Sequence, residues 1–119
     1  MIGNALIIFA IVAVGGLFLA SKTLRGELAP WSVGIIHAVL AIAGFGVIIM
    51  AVLAGEGGNL LKAVVVLGLI TAVLGLYLGS FHARKLPAPM GGVLAHGSIA
   101  IVCYLVLIGA FIGVPFWPH

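Results

Sequence analysis

The chain has 119 residues, of which 65% are hydrophobic and 6% are charged, and its mean hydropathy is +1.46. Soluble domains carry about a quarter charged residues, so this composition excludes a soluble domain and indicates an integral membrane protein. The formal net charge of +3 is small, and short basic loops are what membrane insertion itself requires. No nucleic-acid partner is therefore expected.

Four long apolar runs, each about the 20 residues needed to cross a hydrocarbon core, account for nearly the whole chain. They cover residues 2–20, 31–54, 60–81 and 90–114. The first run has no basic residues before it and no clear cleavage site after it, so it is interpreted as a helix and not as a signal peptide. The sequence predicts an all-α membrane protein, a bundle of four transmembrane helices forming one domain over residues 1–119.

The basic residues indicate how the bundle is oriented. Lys22 and Arg25 lie between the first two helices, Arg84 and Lys85 lie between the last two, and Lys62 is on the other side. The positive-inside rule then predicts that both basic loops are cytoplasmic and that both termini face outward, in an inner (plasma) membrane. Aromatic residues at the two interfaces, Trp31 on one side and Phe116 with Trp117 on the other, fit this orientation.

An internal repeat organises the chain. The segment 29–37 reads Ala-Pro-x6-His, and the same pattern returns 59 residues later at 88–96. When the chain is shifted by this distance, one third of the aligned positions from residue 16 to residue 54 are identical, which indicates a duplicated helical hairpin. We assign repeat 1 to residues 1–54, a polar, glycine-rich linker to 55–59, and repeat 2 to 60–119.

This duplication predicts where the two repeated histidines lie. Each half has an even number of helices, so the halves insert in the same orientation and are related by a pseudo-twofold axis along the membrane normal. The second and fourth helices are then diagonal partners in the bundle. His37 and His96 lie at equal depth, each about 10 Å along its helix from Pro30 or Pro89.

Two intramembrane histidines at equal depth on diagonal helices predict a haem site, because a haem iron takes two axial imidazoles from opposite sides. Small residues on neighbouring turns would leave room for the macrocycle, and cations would pair with its propionates. The small residues beside the histidines are Gly34, Ala41, Gly44, Gly92, Ala100 and Cys103. The candidate propionate partners are Arg25 and Arg84, supported by Lys22 and Lys85, and His82.

In its four helices and its intramembrane histidine pair, the chain resembles small four-helix transmembrane b-type cytochromes. The resemblance concerns architecture and ligand pattern over the whole bundle. It implies one haem b per chain with His37 and His96 as iron ligands, and electron exchange with a quinone or a redox partner subunit. Whether the protein is itself a quinone-linked oxidoreductase stays open. His82 departs from the repeat, where it matches Thr23, and is interpreted as a partner of a propionate or a quinone head group, or as a water-accessible interfacial residue.

Other interpretations of the histidine pair remain. It could form a quinone or proton site without haem, or a structural pair copied by the duplication. Zinc or copper is not expected, because no carboxylate, cysteine or third histidine accompanies the pair at its depth. A small transporter is a further alternative, although both acidic residues, Glu27 and Glu56, fall in loops. A non-catalytic subunit of a larger membrane complex, or a homo-oligomer, also fits the small size of the chain.

Overall fold

The computed structural model describes residues 1–114, and within this range the chain is entirely helical apart from short connections. The four helices are α1 (Ile2–Leu24), α2 (Trp31–Leu53), α3 (Gly58–Ala83) and α4 (Met90–Ile112). Each has at least 23 residues, or about 35 Å at 1.5 Å per residue, and each is apolar enough to cross a membrane. The predicted four-helix membrane protein is confirmed. Phe116, Trp117 and the end of repeat 2 lie outside the described residues.

The helix boundaries differ from the apolar runs by one to four residues at several ends. α1 continues past residue 20 to Leu24, and α3 begins at Gly58, inside the predicted linker. α4 ends at Ile112, before Gly113 with a φ of 75°. Polar residues at a membrane interface can still be helical, so hydropathy marks the hydrocarbon-spanning part of a helix and not its end.

Proline marks the start of two helices, as the repeated Ala-Pro pattern predicts. Pro30 and Pro89 are the N-cap residues of α2 and α4, and both have a ψ of 134°. A proline there loses no hydrogen bond, because the first amides of a helix have no partner within the helix. His37 and His96 consequently occupy the same position relative to the start of their helices.

Each helix packs against two neighbours, so that α2 is diagonal to α4 and α1 is diagonal to α3. The short loops 25–30 and 84–89 lie at one end of the bundle, which we call the basic end. The opposite end, here the far end, carries the N-terminus and the α2–α3 connection, where the Met1 ammonium lies 3.6 Å from Glu56 Oε1. The diagonal placement of α2 and α4 is as predicted, and the twofold relation between the repeats stays a prediction.

The tightly packed core of the bundle lies toward the far end. No residue in 13–43 or 65–106 is fully buried. One contiguous apolar cluster is formed by Ile2, Ala5, Ile48, Ala51, Leu60, Leu61, Val64, Leu107 and Ala110. The fully buried residues are therefore concentrated in the half of the bundle away from both histidines.

Candidate cofactor site

His37 is held in the bundle by the backbone of the neighbouring helix. Its Nδ1 atom lies 2.9 Å from the carbonyl oxygen of Val12 on α1. A carbonyl oxygen only accepts, so Nδ1 carries the proton and donates it, which leaves Nε2 with its lone pair. The imidazole also lies against two glycines, since a β-carbon built on Gly16 would be 3.1 Å from Cε1 and one on Gly15 3.6 Å from Nδ1.

His96 makes the corresponding contacts in the second hairpin. Its Nδ1 atom donates to the carbonyl oxygen of Thr71 on α3 at 2.9 Å. A β-carbon built on Gly75 would lie 3.1 Å from its Cε1 atom. Thr71 lies 59 residues after Val12, and Gly75 lies 59 residues after Gly16. The same number of residues separates His37 from His96.

The spacing between carbonyl and glycine has a physical reason. In an α-helix the carbonyl of residue i accepts the amide of residue i+4 and retains a second lone pair. Gly16 is four residues after Val12, and Gly75 is four residues after Thr71. Because neither glycine has a side chain, the imidazole can approach close enough to use that lone pair.

The two imidazoles meet across the centre of the bundle. Their ring centroids are 6.4 Å apart and the ring planes are inclined by 66°. Both residues are half-buried. Although α2 and α4 are diagonal and do not pack directly on each other, these two side chains bring them together, as the prediction of equal depth on diagonal helices requires.

The flanking glycines predicted for the macrocycle lie against other side chains. Gly34 faces the imidazole of His82, whose Nδ1 would be 3.6 Å from an added β-carbon. Gly44 is buried against Phe9 and Ile8 of α1, where an added β-carbon would meet side-chain atoms at 2.9 Å and 3.0 Å. These positions therefore bring helices or side chains together, and the atoms nearest an added β-carbon at either one do not belong to His37 or His96.

The other small residues of the prediction are also on the bundle interior. Gly92 faces Leu78 and Tyr77 of α3, with an added β-carbon 2.9 Å from Leu78 Cδ2. Ala41 and Ala100 are half-buried on the turns that follow His37 and His96. Cys103 donates to the carbonyl oxygen of Val64 over 3.6 Å, so it bonds to α3 and not to a histidine.

The predicted propionate partners lie at the basic end and are exposed. Arg25 Nε is 3.6 Å from Glu27 Oε1. Arg84 donates from Nε to the carbonyl oxygen of Ser80 at 3.1 Å, and its guanidinium lies 4.6 Å from the centre of the Phe81 ring. Both guanidinium groups therefore have partners on their own hairpin and are on the side of the bundle toward which the histidines are displaced.

His82 lies at the end of α3 and contacts α2. Its ring centroid is 4.3 Å from that of Trp31, with the planes inclined by 56°. In the described part of the chain, no hydrogen bond joins either of its ring nitrogens to the protein. It is thus distinct from His37 and His96 in position and in bonding.

Sequence reasoning missed four residues of the site, Val12, Thr71, Gly16 and Gly75. The two carbonyl groups have no side-chain signal, since every residue carries one. Gly16 and Gly75 do have a signal in the sequence, because the repeat aligns them with each other. Each also belongs to a row of small residues at helical spacing, on α1 and α3 respectively. These rows predict close helix packing, and the structure shows that the close approach is made by an imidazole.

The metal-ligating side chains that the structure brings together at the centre of the bundle are the imidazoles of His37 and His96. Among residues 1–114 there is no group of three or more histidine, cysteine, aspartate or glutamate side chains that could hold a metal ion. A protein-held zinc or copper ion needs three or four ligands, whereas a haem supplies four nitrogen ligands itself and asks the protein for one or two.

Comparison with protein-family models gave no match, and comparisons with curated proteins and with solved structures gave none either.

Proposed function

We propose that this protein binds one haem b between His37 and His96 and acts in electron transfer within the membrane. The observation that carries the proposal is the pairing of two imidazoles, 6.4 Å apart between ring centres, each with its Nδ1 proton donated to a backbone carbonyl. That bond leaves Nε2 as the ligand atom and fixes the ring, which is the arrangement metal-bound histidines use.

The separation of the rings would allow His37 and His96 to hold one iron atom between them. An imidazole nitrogen binds a first-row metal at about 2 Å, and the ring centre lies about 1 Å further, so two axial rings have centres about 6 Å apart. The two hydrogen bonds alone would equally suit a structural histidine. Ligation is favoured because both rings make this bond. The rings come from diagonal helices, and the described residues form no hydrogen bond with either Nε2 atom.

The lack of fully buried residues around both histidines supports the same conclusion. The residues in 13–43 and 65–106 leave both imidazoles only half-buried at the centre of the bundle, while the far end is tightly packed. A planar cofactor between the hairpins would fill this half and supply the apolar burial that it lacks. Its propionates would then extend toward the basic end, where Arg25 and Arg84 lie.

When bound, the haem supplies reversible one-electron chemistry at its iron. The residues of the chain do the rest. Val12 and Thr71 orient the ligand imidazoles, Gly16 and Gly75 admit them, and the apolar helices exclude water. The electrons would be exchanged with a membrane quinone or with a docked redox subunit near the cytoplasmic side, the orientation that the basic loops favour.

A proton-coupled exporter has less support. Small cation exporters depend on a carboxylate within the span, and both side-chain carboxylates of this chain are at the ends of the bundle. Glu27 is paired with Lys22 and Arg25, and Glu56 with the N-terminal ammonium.

The test is a reduced-minus-oxidised absorption spectrum of the protein purified from cells supplied with haem. We expect the α band of a six-coordinate b haem at one haem per chain, and loss of that band in His37→Ala and in His96→Ala, because each removes one axial ligand. The matched controls are Ile36→Ala and Leu94→Ala, which alter lipid-facing residues 58% and 61% exposed on the same helices. A protein without haem, or a band that survives both histidine substitutions, would disprove the proposal.

A further inference from the structure

At the basic end, where α2 and α3 meet, two aromatic residues depart from the repeat. The positions that match His82 and Trp31 in the other half are Thr23 and Met90. The α2–α3 contact therefore carries an imidazole and an indole, while the equivalent α1–α4 positions carry a hydroxyl and a thioether. The proposed haem ligands are present in both halves, whereas His82 and Trp31 are present in one half only. We therefore expect His82 and Trp31 to have a role apart from holding the haem.

The geometry of this contact forms a small amphipathic surface. The His82 imidazole lies against the indole of Trp31 at 4.3 Å between ring centres. Behind it is the bare α-carbon of Gly34, where an added β-carbon would be 3.6 Å from Nδ1. An indole, an imidazole and a glycine thus meet where α2 and α3 are in contact.

The hydrogen-bonding groups of His82 are unused within the described residues, as noted above. Nδ1 of His37 and Nδ1 of His96 are both occupied by carbonyl oxygens at 2.9 Å, whereas His82 is held by ring contacts. The two ring nitrogens of His82 can therefore form hydrogen bonds to a bound molecule.

The position of this surface in the membrane restricts what can reach it. Trp31 is the first residue of α2 and is 51% exposed, and His82 is the second-last residue of α3. Both therefore lie where the spans end, at the boundary between hydrocarbon and head groups. A ligand arriving there from the lipid would be planar, to lie on the indole, apolar over most of its surface, and equipped with a hydrogen-bond acceptor for the imidazole.

We propose that Trp31, Gly34 and His82 form a binding site for the head group of a membrane quinone, with a quinone carbonyl accepting a hydrogen bond from His82. The inference deepens the proposed function, because a quinone bound here would be the electron-exchange partner of the haem, but binding itself does not require the haem. The site is present only where α2 contacts α3, so we expect one quinone per chain.

The test is photoaffinity labelling with an azidoquinone in quinone-free lipid nanodiscs, followed by peptide mapping, with unlabelled short-chain quinone as competitor. We expect competed labelling within residues 31–34 and 78–83. Removal of one hydrogen bond in His82→Ala should weaken competition by about three- to tenfold, and His82→Gln, which keeps an amide donor, should restore much of it. Thr23→Ala, the substitution at the matching position of α1, should change nothing.

Several results would overturn the inference. Labelling spread equally over α1 to α4, or competition that is unaffected by His82→Ala, would show that no such site exists. Haem loss in His82→Ala with unchanged quinone competition would assign His82 to a propionate instead. The absorption spectrum of the same samples separates the two proposals, because site-specific labelling without haem would leave the quinone site standing and remove the electron-transfer function.

Discussion

At the scale of single residues, the two central histidines are fixed by backbone atoms. The carbonyl oxygens of Val12 and Thr71 receive the Nδ1 protons, and the glycines four residues later allow the approach. A backbone acceptor cannot be lost by side-chain mutation, but it can be covered. The orientation of each imidazole is therefore controlled by whether a side chain is present at residue 16 or residue 75.

This control predicts the effect of Gly75→Ala. Its new methyl would lie 3.1 Å from His96 Cε1, so the imidazole must shift by a few tenths of an ångström, which alters its hydrogen bond to the Thr71 carbonyl. For the haem that we propose, we expect a partly high-spin state and a changed midpoint potential, since a histidine with a weaker hydrogen bond at Nδ1 is a weaker ligand. The spin state is measured by electron paramagnetic resonance and the potential by redox titration.

The matched control for this substitution is Gly79→Ala, one turn further along α3. An added β-carbon at that position has no atom within 4 Å, and both substitutions raise helix propensity by about the same 1 kcal/mol. Equal spectra and potentials for the two variants would show that the contact of Gly75 with the imidazole has no influence on the ligand.

The histidine pair could be predicted from the sequence, and its immediate partners could not. Histidine is rare within an apolar span, so His37 and His96 can be recognised from the sequence. Every residue has a backbone carbonyl group, so the sequence does not show which carbonyl accepts a hydrogen bond from a histidine. The predicted glycine neighbours show the same limit, because Gly34 and Gly44 lie beside the histidines along the helix but face His82 and Phe9 in space.

At the scale of the helices, glycine determines how closely α1 and α2 approach. Gly44 is buried with side-chain atoms of Phe9 and Ile8 at the place where its β-carbon would be. The spans themselves follow from hydropathy and were predicted nearly to their ends. The faces by which the helices pack on each other could not be predicted from the sequence. Every face of these helices is apolar, so hydrophobic periodicity does not mark one face as buried.

We predict that Gly44→Val destabilises the protein by about 1–3 kcal/mol, the usual cost of forcing extra volume into a packed contact. The control, Gly46→Val, carries the same loss of backbone freedom at a position with no atom within 4 Å of the added β-carbon. Unfolding in mixed micelles, followed by circular dichroism, measures the difference. If Gly44 instead lined the haem, the substitution would change the haem spectrum while leaving the unfolding midpoint close to that of Gly46→Val.

At the scale of the whole molecule, the charges define two different ends. The basic end carries Lys22, Arg25, Arg84 and Lys85, and the far end carries the paired N-terminus and Glu56. The positive-inside rule therefore predicts a cytoplasmic basic end.

Cysteine labelling in intact cells tests this orientation. In a Cys103→Ala background, we expect Ala54→Cys at the far end to react with a membrane-impermeant maleimide added outside. Leu28→Cys, in a loop position that is 46% exposed, should react only after the cells are permeabilised. The reverse pattern would place the basic loops outside and contradict the prediction.

The concentration of tight packing at the far end has a consequence for how the protein is made. The apolar cluster around Leu61 and Leu107 draws residues from all four helices, so it can hold the helices together by side-chain packing alone. If haem binds as we propose, it would enter a bundle that is already assembled. We then expect the supply of haem, not the folding of the bundle, to set the pace of maturation.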